Sequence, residues 1–345
     1  MKVVVGISGG PASLVTAWLL KKQGMQVRGV HFDLFSNPTQ RAAIQEIERK
    51  LGIPIQMMDV SGSFGDLFLE ARRSAISNGL PFDLKWLFQS KVVLPGVEKV
   101  RESTGSEKIA TGHRVSLLED PAVGRVRIMM GSGSRLEPVH ELLGLGQGQL
   151  TRSLAPIGAI PESLLVKLTS EVAPESVTRE FGIEWSDLEE RLNQADPEPL
   201  KREIQVFTLN GVLLGRAALG SLKTGEPFVD SEDPDKNYRL LEVQPQSDRA
   251  WVQARAEVTA SEYLFDECHW VSGQDLGLGF LEAGMISEEA RDPGRIRLIQ
   301  FEGGKMKGVL PNPIQGEQVK ILKGQRVLFM SGSEVLGGAR VIKVR

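Results

Sequence analysis

Lys2-Val3-Val4-Val5-Gly6-Ile7-Ser8-Gly9-Gly10-Pro11-Ala12-Ser13 opens the chain and decides its fold class. Lys2–Ile7 reads as a buried parallel strand, because a short β-branched run without alternation is apolar on both faces. The glycine turn then hands over to a helical pattern through Leu20. Gln26–Phe32 reads as a second strand, and Thr39–Leu51 as a helix with apolar positions at Ala43, Ile47 and Leu51. Ile55–Val60 is a third strand, and Phe64–Ile76 and Val92–Ser103 are helices. Lys108–Ala110 is a strand that enters Thr111-Gly112-His113. Strands separated by helical patterns in this way predict a doubly wound parallel α/β sheet.

The texture changes at Asp196-Pro197-Glu198-Pro199, which reads as a linker. Beyond it, Val206–Leu214, Tyr238–Val243, Trp251–Val258, Arg295–Phe301, Gln318–Ile321, Arg326–Met330 and Gly338–Val344 read as short strands between turns. The fold class expected is α/β followed by β, with one or two small barrel-like modules. The expected domains are residues 1–195 (α/β), 196–247 (a small β-rich central module) and 248–345 (a C-terminal β-barrel), with the second boundary near Ser247.

Composition narrows the function classes. The 345 residues are 41% hydrophobic and 25% charged, which suits a globular protein of two or three domains. No apolar run reaches the length of a transmembrane helix, and the N-terminus has no signal-peptide pattern. One cysteine, Cys268, excludes a disulfide framework, a cysteine zinc site and a cysteine-ligated iron–sulfur cluster within one chain. A cytoplasmic location is expected. The formal net charge of −3, from 41 basic and 44 acidic residues, does not point to nucleic acid, but a local basic face is not excluded by an average.

Strand, Ser8-Gly9-Gly10-Pro11-Ala12-Ser13, then helix is an arrangement that binds phosphate. Small residues let backbone N–H groups approach an anion, and the helix N-terminus adds partial positive charge. It is neither a Walker A loop nor a GxGxxG loop. The plainer reading is a tight turn with Ser13 capping the helix. The segment resembles the pyrophosphatase loop of N-type ATP enzymes, SGG-x-D-S, with Ala12 at the aspartate position and Leu14 at the second serine. The resemblance implies that the missing carboxylate would have helped hold magnesium, which a methyl group cannot do.

Four further segments are similar to the tRNA-specific 2-thiouridylase family (MnmA, formerly tRNA (5-methylaminomethyl-2-thiouridylate)-methyltransferase). Ile109-Ala110-Thr111-Gly112-His113 matches that family's IATGH. Gly131–Leu150 aligns without gaps to GxDxxKDQSYFL…QL, and Pro156-Ile157-Gly158 matches its PIG element. Gly337-Gly338-Ala339-Arg340-Val341-Ile342 is similar to its barrel ending. The resemblance implies an N-type ATP pyrophosphatase-like domain, tRNA as partner and ATP with magnesium as co-substrate. It further implies adenylation of a wobble uridine followed by sulfur delivery from a cysteine persulfide, with a second cysteine helping release.

The sequence departs from the family at those points. The first cysteine falls at Phe88, its iron–sulfur partner position at Lys85, and the second cysteine near Glu180. KDQ becomes Leu136-Glu137-Pro138, and the upstream aspartate becomes Gly133. With Ala12, these losses form a pattern, that of a degenerate paralogue lacking both catalytic cysteines. Cys268, beside His269, is read as a semi-buried structural thiol rather than a replacement nucleophile.

The nucleotide-binding residues implied are Ser8, Gly9, Gly10, Ser13, Thr111, Gly112 and His113. His113 is placed facing the crevice at a strand's C-terminal end. Arg114, Arg125, Arg127 and Arg135, near the same edge, are candidates for RNA phosphates, against the plainer reading of solvated surface arginines. His31 and His140 have no assigned role, and Trp18 and Trp86 read as core. The function ranked first is a tRNA-binding thiouridylase-like protein without autonomous sulfur transfer. Second is an ATP-dependent enzyme that adenylates RNA and takes a nucleophile or persulfide from a protein partner. Third is a nucleotide sensor or scaffold without an RNA role.

Overall fold

The computed structural model describes all residues except 36, 63, 131–135, 175–184, 231–232, 234–235, 275–278, 289, 291–293 and 302–304. The parallel sheet begins with β1 (Lys2–Gly6), β2 (Gln26–Asp33), β3 (Ile55–Asp59) and β4 (Lys108–Ala110). A hairpin of β5 (Val115–Asp120) and β6 (Arg125–Met130) intervenes before β7 (Ser153–Leu154) completes it. The order is β3-β2-β1-β4-β7 with every pairing parallel. The chain therefore winds outward from β1 to β3 and returns on the other side of β1 as β4. Ligands in such sheets bind where the order reverses, beyond the carboxyl ends of the strands. The two loops at that reversal are Ile7–Gly10 and Thr111–Arg114.

Nine helices are named here: α1 (Pro11–Lys22), α2 (Pro38–Leu51), α3 (Glu70–Ser77), α4 (Leu84–Phe88), α5 (Leu94–Ser103), α6 (Leu136–Leu142), α7 (Gln147–Leu150), α8 (Glu162–Val172) and α9 (Trp185–Ala195). Alternation along β1 divides the core. Val3 and Val5 pack with Leu14, Val15, Ile44, Ile47 and Leu165 of α1, α2 and α8. Val4 faces the opposite layer, with Phe32, Val97, Phe88 and Leu188. Both faces are covered, as the unalternating sequence of the strand requires. No helix among the described residues is long and apolar enough to cross a membrane.

The middle of the chain forms a five-stranded sheet of β8 (Glu203–Thr208), β9 (Leu213–Ala218), β10 (Pro227–Val229), β11 (Asn237–Gln244) and β12 (Arg249–Ala254), in the order β10-β11-β12-β8-β9. The expected single strand Val206–Leu214 is instead a hairpin: Gly211 at φ +84° turns the chain, its N–H bonded to the Thr208 carbonyl at 3.0 Å. β12 carries this sheet to Ala254, past Ser247.

The C-terminal strands β13 (Thr259–Trp270), β14 (Phe280–Ile286), β15 (Gly294–Gln300), β16 (Met306–Gln315), β17 (Arg326–Ser331) and β18 (Glu334–Val344) close into an antiparallel barrel, because β13 pairs with both β16 and β18. Tyr263, Phe265 and Phe329 fill it. The expected strand Gln318–Ile321 is absent. Gly316–Gln318 winds as a 3₁₀ turn, and Val319, Ile321 and Leu322 plug the barrel core without joining a ladder. The expected α/β and β architecture is otherwise present. The β5–β6 hairpin is a feature the strand reading missed: β6 pairs with β18, so a piece of the N-terminal half extends the barrel sheet.

Gly158, in Pro156-Ile157-Gly158, is required by packing. A Cβ there would lie 1.8 Å from the Val115 carbonyl oxygen. Backbone cannot yield as a flexible side chain does, so Gly158→Ala should destabilise by about 3 kcal/mol or more, at the upper end of overpacking costs. Urea denaturation checks this, and a midpoint equal to the parent's would contradict it.

Candidate functional site

The glycine loop is preformed by its own polar groups. Gly9 sits at φ +89°, a conformation that favours glycine. The Gly10 N–H donates to Ser8 Oγ at 3.2 Å, and the Ser13 hydroxyl donates to the Gly10 carbonyl at 2.9 Å. With that proton committed, the Ser8 hydroxyl is the donor across the 3.2 Å contact to Ser13 Oγ. Gly10 is the N-cap of α1 and Pro11 opens it, so Ser13 lies inside the first turn and is not the cap. The Ser13-cap reading is therefore corrected. Pro11 has no N–H and the Ser13 N–H donates to the Gly10 carbonyl at 3.1 Å, so what the α1 N-terminus offers an anion is chiefly the partial positive charge of the helix.

The second loop of the reversal lies against the first. A Cβ on Gly112 would be 2.9 Å from Ser13 N and 3.0 Å from Ala12 Cβ. Thr111-Gly112-His113 thus abuts the start of α1. His113 is buried, and both its ring nitrogens are engaged by protein. Nδ1 lies 2.5 Å from Thr111 Oγ1, and Nε2 lies 2.8 Å from Glu141 Oε2. An ionised carboxylate only accepts, so Nε2 carries its proton, and in the neutral ring Nδ1 accepts from the Thr111 hydroxyl. The sequence reading placed His113 at the crevice but missed Glu141, its buried partner 28 residues further on. No local signal in the sequence joins the two.

His31 is a second histidine that the sequence left unassigned. Its Nδ1–H donates to the Ile7 carbonyl at 2.8 Å, and burial pushes its pKa down. Beside it, Asp33 is ion-paired with Arg41 at 2.5 Å.

At the position implied for the first cysteine the side chain is a hydrocarbon ring. Phe88 is 4% exposed and packs between Phe68 and Trp185, at ring-centroid distances of 6.1 and 5.7 Å. Glu180 and Arg135 lie outside the described residues. Cys268 sits on β13 and packs against the barrel core. Trp86, expected in the core, is half-buried at a junction, with the Arg326 guanidinium stacked 3.8 Å over its ring.

The arginines are spread over two regions. Arg114 pairs with Glu162 and with the Ile160 carbonyl. Arg125 and Arg127 lie on β6, in the barrel-side sheet. Arg125 donates to Gln274 at 2.9 Å, and Arg127 lies 3.5 Å from Asp120 and 3.6 Å from Glu334. Both line a cleft between the hairpin and the barrel, with Gln147 and Trp270. Each guanidinium has five donors, so these contacts leave capacity for a phosphate.

For magnesium the residues do not fit. The loop presents hydroxyls and backbone but Ala12 where a carboxylate is needed. Among the described residues, no three His, Cys, Asp or Glu side chains are grouped to hold a metal ion.

A doubly wound parallel sheet with a Ser-Gly-Gly loop at its reversal defines the class of α/β domain that binds ligands beyond the carboxyl ends of its strands. The chain belongs to the tRNA methyl transferase HUP domain family, whose model matches residues 1–177. Along 98% of its length it is similar to the tRNA-specific 2-thiouridylases MnmA of Nostoc punctiforme, 23% identical with 97% of that protein covered, and of Hydrogenovibrio crunogenus, 28% identical with 93% covered. The family resemblance drawn from the motifs is thereby borne out. A solved 4-thiouridine synthetase in complex with RNA and bound ATP is similar over 57% of this chain and 51% of that one, at 19% identity and a TM-score of 0.33.

Two predictions follow from the buried groups. Phe88→Ala should cost roughly 3–5 kcal/mol by opening a cavity among aromatic rings; thermal unfolding checks it, and an unchanged midpoint contradicts it. His140, buried near Arg326, has its pKa lowered from 6.5 to about 3. Below 6.5 the unfolded chain takes up a proton that the folded chain refuses. Stability from this group is full above pH 6.5 and is lost as pH falls toward 3, by about 1.4 kcal/mol per unit. His140→Phe should flatten the unfolding free energy between pH 6 and 4 by that slope; parallel curves for parent and variant would contradict the assignment.

Proposed function

We propose that this protein is a tRNA-binding member of the thiouridylase family that holds a nucleoside triphosphate at its glycine loop and does not transfer sulfur by itself. One observation carries the reading. Phe88, where the family resemblance puts the first cysteine, is sealed among Phe68, Trp185 and Leu188, and a hydrocarbon ring cannot carry a persulfide. Cys268 is committed to the barrel wall and offers no replacement at the sheet reversal.

The nucleotide reading is supported by the loop itself. Gly9, at φ +89°, and Gly10 carry no side chain to hold a phosphate off the backbone, and the α1 N-terminus complements its charge. Without a carboxylate at position 12, the nucleotide would bring its magnesium on its own phosphates. The tRNA reading is supported by similarity along the full chain to thiouridylases and by Arg114, Arg125 and Arg127. Sulfur, where it is needed, would come from a protein partner that supplies its own persulfide.

Binding to phosphates releases counterions, so log Kd for total tRNA should rise with log salt by about 0.7–0.9 per phosphate contact. Arg127→Glu should weaken binding and lower that slope by about one contact. Filter binding across a salt series reads both. Affinity that ignores salt, or no binding at low salt, overturns the RNA reading.

A further inference from the structure

The cleft that Arg125 and Arg127 line has a floor and a wall that phosphate binding does not use. Its volume is about 240 Å³, where one water needs only about 10–15 Å³ by the same measure. Gln147 fixes the floor. Its Oε1 accepts from the Val126 N–H at 2.8 Å, and its Nε2 donates to the Val126 carbonyl at 2.9 Å and to the Val271 carbonyl. One amide thus ties the β5–β6 hairpin to the residue that follows β13, and the cleft between them is preformed. The wall is apolar. Trp270 is half-buried, with its ring 5.8 Å from that of Phe329 in the barrel core. A Cβ on Gly337 would lie 2.7 Å from Trp270 Cε3, so a glycine there lets the indole lie against β18. Val123, Leu281 and Leu336 extend the wall.

Asp120 and Glu334 also line the cleft, so its two guanidinium groups face two carboxylates. A site so balanced suits an uncharged planar group with hydrogen-bonding edges better than it suits a buried phosphate. A phosphate is better met at the rim, where the Arg127 side chain is 44% exposed. We propose that the cleft receives one unpaired base of a bound RNA, laid against Trp270, while Arg127 holds the adjoining phosphate. The inference rests on the RNA reading of these arginines. Unstacked bases bind aromatic side chains by their faces and polar groups by their edges. Arg125 supplies donors for the edge, and Asp120 and Glu334 supply acceptors. The six residues of β5, at about 3.3 Å each, separate the cleft from the loop after β4 by roughly 16–20 Å. A nucleotide at the glycine loop therefore leaves this base site open.

The test uses the full chain and two short single-stranded RNAs of equal length, one with bases and one abasic, so that their phosphates are identical. Filter binding is read across a salt series, with total tRNA alongside. The expected result is tighter binding of the base-bearing RNA. Trp270→Ala should weaken that binding by roughly 5–150-fold, as loss of one stacked base does. It should leave the abasic RNA and the salt slope unchanged, a split that loss of folding would not produce. Trp270→Phe should keep most of the preference. Equal affinity of the parent for the two RNAs, or a Trp270→Ala loss that falls equally on both, overturns the proposal. Displacement of the base-bearing RNA by a slight excess of free nucleoside monophosphate makes the cleft a small-molecule site and also overturns it. In each of these cases continued binding of total tRNA leaves the RNA reading standing. No binding of tRNA at low salt overturns both.

Discussion

The contact on which the site depends is the approach of Gly112 to the first turn of α1, where a Cβ would lie 2.9 Å from Ser13 N. A second approach, of Gly158 to the Val115 carbonyl, seats the chain after β7 against the start of β5. Neither position admits a side chain, and each is a backbone contact that cannot relax. Together they bring the loops after β1 and β4 into one wall at the sheet reversal. The glycine loop, Thr111 and His113 are neighbours for that reason, not because any attraction links them in sequence. Glu141 arrives from α6 and closes the wall by pairing with His113.

The chemistry divides along the same line. On the β1–β4 side, polar groups are kept and tightly partnered. On the α4 side, the position of the implied cysteine has been absorbed into an aromatic core. The segment around α4 is also a junction. Gly79, at φ +62°, lies against the Val243 carbonyl of the central sheet, and Gly324 of the barrel lies against Pro81. Arg326 stacks on Trp86 and lies 3.5 Å from Asp83 and 3.0 Å from Glu267. A segment held by both other modules is suited to fixing their arrangement, whereas a nucleophilic loop needs access for its substrate.

The parallel sheet was legible because Val3, Val4 and Val5 are apolar on both faces of β1, and because helical patterns separate the strands that follow. The barrel was legible as short strands and turns, but its closure was not, since β13 meets β18 across some 70 residues. The β5–β6 hairpin carried its own signal: Arg125-Val126-Arg127-Ile128 alternates, with Val126 and Ile128 buried. Reading the arginines for charge hid that alternation. Gln318–Ile321 failed in the opposite sense, because apolar residues can fill a barrel end from a turn as well as from a strand. Of the site, the loops were visible as motifs. The His113–Glu141 pair was not, because it depends on how α6 packs, which no local pattern encodes.

The central claim is that this scaffold binds what its family binds without carrying the sulfur. The most direct measurement is nucleoside mass spectrometry of tRNA after incubation with the purified chain, magnesium–ATP and an inorganic sulfide source, with no partner protein. The account predicts no 2-thiouridine above the level of a protein-free control. Thiolated nucleoside formed in many turnovers per chain would contradict it.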